Sequence, residues 1–196
     1  MKDLLRQLSQ YQLVLASKSP RRQQLLQGME IPFKVITKDT DEYFPESMPV
    51  HEIATYLSQK KSAAFALPEL PENFLLITAD TIVVKDQLVL NKPANSNEAM
   101  AMLSVLSDSS HLVITGITLR SATKSQSFDE VSEVKFGKLE TDEMDWYIDQ
   151  HQPFDKAGAY GIQEWIGYIG IESVKGSFYN VMGLPTHKLF RALKNF

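Results

Sequence analysis

Hydrophobic positions along the chain fall into short continuous runs and into stripes with helical spacing. The run at residues 11–16 predicts a short buried strand, and the stripe at i, i+3, i+4 and i+7 spacing within residues 49–66 predicts a helix. Two predicted hairpins, one at 82–90 and a longer one at 111–136, favour an α/β domain with a mixed sheet over one with a purely parallel sheet. Further strands are predicted at 33–36, 74–79, 82–84, 88–90, 111–119 and 128–136, and further helices from about residues 20, 95, 141 and 186.

Local patterns add detail in the second half of the chain. Asn95 and Glu98 have the pattern of a capping box at the start of the helix from about residue 95. In the helix from about residue 141, three residues are expected to pack in the interior, namely Trp146, Tyr147 and Ile148. Residues 166–174 alternate around two glycines.

The turn after the first predicted strand has the pattern of a helix start. Ser19 is a typical N-cap residue, and Pro20 suits the first helical position, so Arg21 and Arg22 fall in the first turn. The helix dipole makes that end positive and therefore disfavours two further cations there. A bound phosphate would compensate this positive charge. It could accept hydrogen bonds from backbone N–H groups, from the Ser17 and Ser19 hydroxyls and from the guanidinium groups. The alternative is a capped helix whose surface arginines pair with carboxylates elsewhere.

Asp80 lies between two apolar runs, 74–79 and 82–84. A buried carboxylate is costly unless a cation or hydrogen bonds compensate it. We therefore take Asp80 as a candidate functional acid at a strand end, where α/β folds place their sites. The alternative is an aspartate that caps a turn through its own backbone.

Two neighbouring lysines face different surroundings in the helix predicted at 49–66. Lys61 falls on the apolar stripe and Lys60 does not. Lys61 is a candidate phosphate ligand if it ends in a pocket, but its stem can equally pack along the apolar face with the charge in water. The acidic turn at residues 38–42 offers carboxylates for a metal or merely a solvated loop.

Composition restricts the classes of function that fit this chain. Its 196 residues, 43% of them hydrophobic, suffice for a buried core, and the absence of cysteine excludes disulfides and thiolate chemistry. The net charge of −4 without a long basic run disfavours binding to a nucleic-acid polymer. No run is long enough to span a membrane and no secretory leader is recognisable, so a cytoplasmic protein is expected.

Five separated motifs resemble, in order and over nearly the whole chain, the signature of the Maf family of nucleotide pyrophosphatases. Two of them are glycine-punctuated stretches, which allow close approach of the backbone. The motifs are Ser17-Lys18-Ser19-Pro20-Arg21-Arg22, Ala79-Asp80-Thr81-Ile82-Val83, Asn91-Lys92-Pro93, the stretch at 155–163 and the stretch at 176–185.

The resemblance implies a fold and an activity. The fold would be α/β, with a long mixed sheet and flanking helices that form two lobes around a cleft, as in the related inosine triphosphate pyrophosphatases. Residues 1–196 would form one such domain. With Mg²⁺ or Mn²⁺, the protein would split dTTP, UTP and their modified relatives into monophosphate and pyrophosphate, an activity that cleanses the nucleotide pool. A homodimer is expected by family analogy.

The resemblance also assigns site residues. Asp80 would be the catalytic carboxylate, and Glu42 would help it to bind the metal. Gln163 suits a pyrimidine, because its amide can pair with a ring carbonyl and with N3–H. The specificity positions correspond to Arg21, Thr81 and Gln163, and the triphosphate ligands to Ser17, Arg21, Arg22, Lys61 and Lys92.

Two residues depart from the family pattern. Gln152 stands where the family usually has glutamate before its Pro-x-Asp-Lys segment, and Glu164 replaces a frequent glycine after Gln163. Two other functions stay open at this point. One is the family branch that prefers 7-methyl-GTP, and the other is a nucleotide-sensing inhibitor of septum formation with little turnover. A bare anion-binding scaffold is the third alternative.

Overall fold

In the computed structural model, which describes residues 2–196, seven strands form one mixed sheet. They are β1 (Gln12–Leu15), β2 (Lys34–Val35), β3 (Phe74–Lys85), β4 (Leu88–Leu90), β5 (Ser110–Arg120), β6 (Ser125–Phe136) and β7 (Ile171–Lys175). The order is β2-β1-β3-β5-β6-β7, and β4 pairs with β3. Strand β1 runs parallel to β2 and β3, whereas β4 is antiparallel to β3 and β7 is antiparallel to β6. The prediction of a mixed α/β fold is confirmed.

Eight α-helices occur among the described residues. They are α1 (Lys2–Leu8), α2 (Pro20–Gly28), α3 (Val50–Ala63), α4 (Ser96–Leu106), α5 (Thr141–His151), α6 (Trp165–Gly170), α7 (Phe178–Val181) and α8 (Thr186–Lys194). Three short 3₁₀ turns lie at Leu67–Glu69, Pro153–Asp155 and Ala157–Ala159. In the described part of the chain, none of these helices has the length and apolar character needed to cross a membrane.

The chain divides into two compact units, which we call unit 1 and unit 2. Unit 1 contains the chain up to Asp80, Thr115–Glu130 and Gly183–Phe196, and unit 2 contains Thr81–Ile114 and Val131–Met182. Strands β3, β5 and β6 each contribute residues to both units.

Helix α3 packs closely in unit 1. Ile53, Ala54 and Leu57 are buried on its inner face. A Cβ atom added to Gly116 of β5 would lie 2.3 Å from the carbonyl oxygen of Ala54, so the strand meets the helix backbone where only glycine fits. This contact fixes α3, and therefore Lys61, against the sheet of unit 1.

Unit 2 contains the predicted hairpin between β3 and β4. Its two turn residues, Asp86 and Gln87, both have positive φ angles, 49° and 68°, as expected for a two-residue hairpin loop with the twist of its strands. The N-cap of α4 is also present, because the Asn95 side chain accepts from the Glu98 N–H at 3.0 Å. The Glu98 carboxylate accepts from the Ala94 N–H at 2.9 Å instead of from that of Asn95, so only one half of the predicted capping box forms.

Two sequence expectations need correction. Asp80 does not lie at a strand end, because β3 continues without interruption from Phe74 to Lys85. Pairing with β1 on one stretch and with β4 on another keeps the strand extended through the polar residues. Trp146, expected to pack with Tyr147 and Ile148, is 46% exposed and stacks at the surface against Trp165, whereas Tyr147 and Ile148 are buried as predicted.

Candidate functional site

The turn between β1 and α2 has the predicted cap. The Ser19 hydroxyl accepts from the Arg22 backbone N–H at 3.4 Å, and Pro20 begins the helix. The Ser17 hydroxyl is buried and accepts from the Ser19 N–H at 3.2 Å, while the Gln23 side chain donates to the Ser17 carbonyl at 3.1 Å. The turn is therefore held in place by its own hydrogen bonds, with two arginines in the first turn and no acid there to balance the helix dipole.

Lys61 joins the two predicted metal-binding acids. Its ammonium donates to Glu42 Oε1 at 3.0 Å and forms a short ion pair with Asp80 Oδ1. The side chains of Lys61 and Asp80 are 17% and 8% exposed, whereas that of Glu42 is 42% exposed. The Lys61 ammonium thus leaves the apolar stripe of α3 and ends in a polar cluster instead of in water, and its role as a phosphate ligand stays a prediction.

Arg22 belongs to the same cluster of charges. Burial of its guanidinium lowers the pKa of Arg22, and the negative charges of Asp80 and Glu42 act in the opposite direction, while Arg21 lowers it further. The Arg22 Nε–H donates to the carbonyl oxygen of Gly183 at 2.8 Å, which fixes the direction of the side chain. The predicted residues Ser17, Arg21, Arg22, Glu42, Lys61 and Asp80 therefore all belong to unit 1.

Lys60 clamps the loop on both sides of Glu42. Its ammonium donates to the Tyr43 carbonyl at 3.0 Å and to Asp41 Oδ1, and that same carboxylate oxygen accepts from the Tyr43 N–H at 3.1 Å. The Lys60 ammonium and the Tyr43 N–H lower the pKa of Asp41. Sequence reasoning assigned no role to Lys60, yet its ammonium closes the turn that carries the Glu42 carboxylate.

The remaining predicted residues, Thr81, Lys92 and Gln163, lie in unit 2. Thr81 follows Asp80 directly in β3 and is half-buried, and Lys92 is exposed in the loop after β4. The Asn91 carbonyl accepts from the Gly158 N–H at 3.2 Å, which joins the loop of Lys92 to the glycine-rich stretch that leads to Gln163.

Gln163 carries an unused acceptor. Its Oε1 atom is buried and has no hydrogen-bond partner among residues 2–196. Burying an amide oxygen without a partner costs free energy of about 1–3 kcal/mol, so such an atom is a candidate ligand contact. This observation fits the role in base recognition that the resemblance gave to Gln163.

Sequence reasoning missed the polar groups that contact the neighbours of Gln163 in the chain. Lys156 is buried, and its ammonium contacts Asp155 Oδ1 at 2.7 Å and Glu164 Oε1 at 3.1 Å. The hydroxyl of Tyr147 donates to Glu164 Oε2 at 2.5 Å. Lys156 stood inside a recognised motif and so carried a signal, whereas Tyr147 looked like an ordinary core residue of α5.

Comparison with known proteins gives a consistent result. The sequence model of the family described as Maf-like protein matches residues 12–196. A dTTP/UTP pyrophosphatase of Parabacteroides distasonis is 50% identical over 194 residues, which cover 98% of this chain and all of that protein. A protein of the same name from Bacteroides fragilis is 46% identical over 97% of this chain and 99% of its own length. Another from Porphyromonas gingivalis is 43% identical over 98% of this chain and 98% of its own length. With the family model covering nearly the whole length and these identities far above chance, the chain belongs to the Maf family.

Proposed function

We propose that this protein is a nucleoside triphosphate pyrophosphatase that hydrolyses dTTP and UTP to the nucleoside monophosphate and pyrophosphate. The names of its relatives support the substrate class. The single observation that carries the mechanism is the Lys61 ammonium held between the carboxylates of Asp80 and Glu42. It places a cation and two hard oxygen ligands in one polar cluster, which is what cleavage of a phosphoanhydride requires.

The triphosphate would be held by the cations that the sequence singled out. Arg21 and Arg22 occupy the first turn of α2, where a phosphate would accept from the guanidinium groups and from backbone N–H groups together. The Ser17 hydroxyl already accepts from Ser19, so its own hydrogen can be donated to a phosphate oxygen. Lys61 and Lys92 would add two compact positive charges.

The donor set of unit 1 fits a divalent metal of the Mg²⁺ or Mn²⁺ type. Among residues 2–196 no group of three or more histidine, cysteine, aspartate or glutamate side chains could hold a metal. Asp80 and Glu42 nevertheless attract one cation jointly, and Mg²⁺ sites commonly combine one or two carboxylates with water and substrate phosphates. A bound metal would neutralise charge that develops on the phosphate oxygens.

Asp80 is the residue that we propose to act on the attacking water. Its carboxylate is buried in β3 and keeps lone pairs beyond the one used by Lys61, so it can orient a water molecule and accept its proton. Lys61 and Arg22 would hold the negative charge of the triphosphate in place during this step. No covalent intermediate on the protein is needed.

Base selection would fall to Gln163, with Arg21 and Thr81 as the other specificity positions. The buried Oε1 of Gln163 would accept from the N3–H of uracil or thymine, and its Nε2 would donate to a ring carbonyl. Cytosine has no N3–H and would leave the buried oxygen unsatisfied, which disfavours it. We further propose that the protein acts in the cytoplasm, where such nucleotides are used, and as a homodimer by analogy with its family.

Pyrophosphate release from a panel of nucleotides tests the proposal. The purified protein is incubated with Mg²⁺ or Mn²⁺ and with dTTP, UTP, CTP, dATP, GTP or 7-methyl-GTP. We expect pyrophosphate from dTTP and UTP at rates at least tenfold above those for the other nucleotides, in line with recognition through one buried amide. Faster cleavage of 7-methyl-GTP, or no pyrophosphate from any nucleotide, would overturn it.

A further inference from the structure

Three side chains of unit 2 form a largely buried network next to Gln163 in the chain. We call the network of Tyr147, Glu164 and Lys156 the brace. The Tyr147 hydroxyl accepts from the Gly161 N–H at 3.1 Å and donates to Glu164 Oε2 at 2.5 Å. The other carboxylate oxygen, Glu164 Oε1, lies 3.1 Å from the Lys156 ammonium. The brace therefore contacts residues on both sides of Gln163.

Burial makes the brace geometrically demanding. Tyr147 is fully buried, and only 8% of the Lys156 side chain is exposed. A buried lysine is tolerated only when its partners are well placed, because removing the charge from water is costly. Burial and the neighbouring Glu164 raise the pKa of Tyr147, which keeps its hydroxyl protonated and able to donate. The network consequently has one favourable arrangement.

The brace closes on a tight turn. The Glu164 N–H donates to the Gly161 carbonyl at 2.9 Å. A Cβ atom added at Gly161 would lie 2.8 Å from Glu164 Cδ and 3.0 Å from Gln163 Nε2, so both side chains would have to shift if this glycine were replaced. Along the chain, Gln163 therefore lies between Gly161, whose N–H donates to the brace, and Glu164, which is part of it.

We infer that the brace is a positioning device for base recognition, which keeps the Gln163 amide oriented so that its buried Oε1 accepts from a pyrimidine N3–H. The inference rests on the proposed function, because it assigns a role within the same reaction. Glu164, which departs from the family pattern, supplies both oxygens that link Tyr147 to Lys156. A merely structural network would change stability and affect all ligands alike, whereas a positioning network affects only ligands whose base pairs with the Gln163 amide, such as UTP.

The decisive variant is Tyr147→Phe, which removes the hydroxyl between Gly161 and Glu164 and leaves the ring. UTP, CTP and inorganic tripolyphosphate are compared, first as metal-free ligands by calorimetry and then in turnover assays with tripolyphosphate as a competitive inhibitor. We expect the dissociation constant and KM for UTP to rise about tenfold, since a hydrogen bond to a charged group is lost. Affinity for CTP and tripolyphosphate should change less than about twofold and kcat should stay near its original value, so discrimination between UTP and CTP falls.

Matched variants separate positioning from folding. Tyr168→Phe alters an exposed tyrosine of α6 and should leave every constant unchanged. Glu164→Gln keeps an oxygen for the Tyr147 hydroxyl but loses the charge facing Lys156, so it should show a smaller loss of UTP discrimination than Tyr147→Phe. Equal weakening of UTP and tripolyphosphate, or unchanged discrimination in both variants, would overturn the inference. If the wild type binds UTP without cleaving it, the proposed function fails while the calorimetric comparison still tests the brace.

Discussion

The polar cluster around Asp80 in unit 1 and the brace around Gln163 in unit 2 use charge in different ways. In the first, one ammonium serves two carboxylates, and Glu42 remains 42% exposed, so water and small ions can reach the group. In the second, both oxygens of one carboxylate are used internally, by Tyr147 and by Lys156. The first arrangement leaves charges that can change partners, and the second leaves a fixed scaffold.

This difference suits the two tasks that we propose for these groups. Phosphate and metal recognition needs mobile charges that exchange one partner for another as ligands bind and leave. Base recognition needs one neutral amide in a fixed orientation. Discrimination against a wrong base arises because that base leaves the buried amide oxygen without a hydrogen bond. The Gln163 Oε1 atom, buried without a partner among the described residues, is the point where that penalty would act.

The largest effect should follow Asp80→Asn. If the unit 1 cluster performs the chemistry, this variant should lower kcat by about 10²–10⁴-fold, the range for loss of a general base, while UTP still binds. Pyrophosphate release measures turnover, and calorimetry measures binding. Asp86→Asn is the matched control, because Asp86 is an exposed acid in the β3–β4 turn and asparagine tolerates its positive φ angle. Retained turnover in Asp80→Asn would show that Asp80 is not the general base, and the absence of turnover in the wild type as well would favour a nucleotide sensor.

Acid should affect unit 2 through His111. This buried histidine bonds to the Tyr160 hydroxyl at 2.8 Å and stacks on Phe136, and its Nδ1 has no partner in the described part of the chain. Burial, with a smaller contribution from Lys85, lowers the pKa of His111 from 6.5 to about 4. The folded protein thus binds this proton less readily than the unfolded chain, so the contribution to stability is complete above pH 6.5 and is lost as the pH falls towards 4.

The loss should approach about 3 kcal/mol at the acid end of that range. Urea unfolding between pH 7.5 and 4 measures it, with His111→Gln as the comparison because glutamine does not titrate. The variant should be less stable near neutral pH and should lose less stability on acidification than the wild type. Parallel stability curves for the two proteins would show that His111 does not cause the acid sensitivity.

Local signals in the sequence were sufficient for much of the fold. Ser19 and Pro20 located the start of α2, and Asn95 located the start of α4, because a cap needs only residues that are close in sequence. Helix α1, with only seven residues, was not predicted. The alternation after Ile166 did not reveal that α6 ends and β7 begins within a few residues.

Contacts between distant residues were beyond local reasoning. The spacing of α3 placed Lys61 on the apolar side, but only the packing of α3 on unit 1 brings its ammonium to Asp80, 19 residues away. Tyr147 had the pattern of a core residue, and its core position is correct. That its hydroxyl reaches Gly161 and Glu164 depends on the turn of the later glycine-rich stretch, which no periodicity encodes. The role of every proposed site residue stays a prediction for experiment.

The smallest effects, and the finest test of the comparison, concern the neighbouring lysines 61 and 60. Lys61→Gln removes the ammonium shared by Asp80 and Glu42, so kcat/KM for UTP should fall about 10–100-fold, the usual range for a lost hydrogen bond to a charged group. Lys60→Gln releases only the turn that flanks Glu42, and because Asp41 is largely exposed the effect should be about two- to fivefold.

Metal binding distinguishes the two lysines without reference to turnover. In Lys61→Gln the two carboxylates lose their shared cation, so Mn²⁺ should raise the midpoint of thermal unfolding more than it does in the wild type. In Lys60→Gln the Glu42 carboxylate is less well placed, so the same concentration of Mn²⁺ should stabilise the protein less than it does the wild type. Lys60→Arg should restore part of the stabilisation by Mn²⁺, because it keeps a donor for Asp41 and Tyr43. If both glutamine variants responded to Mn²⁺ as the wild type does, the carboxylates of unit 1 would not be metal ligands. The difference between the unit 1 cluster and the brace of unit 2 would then rest on phosphate binding alone.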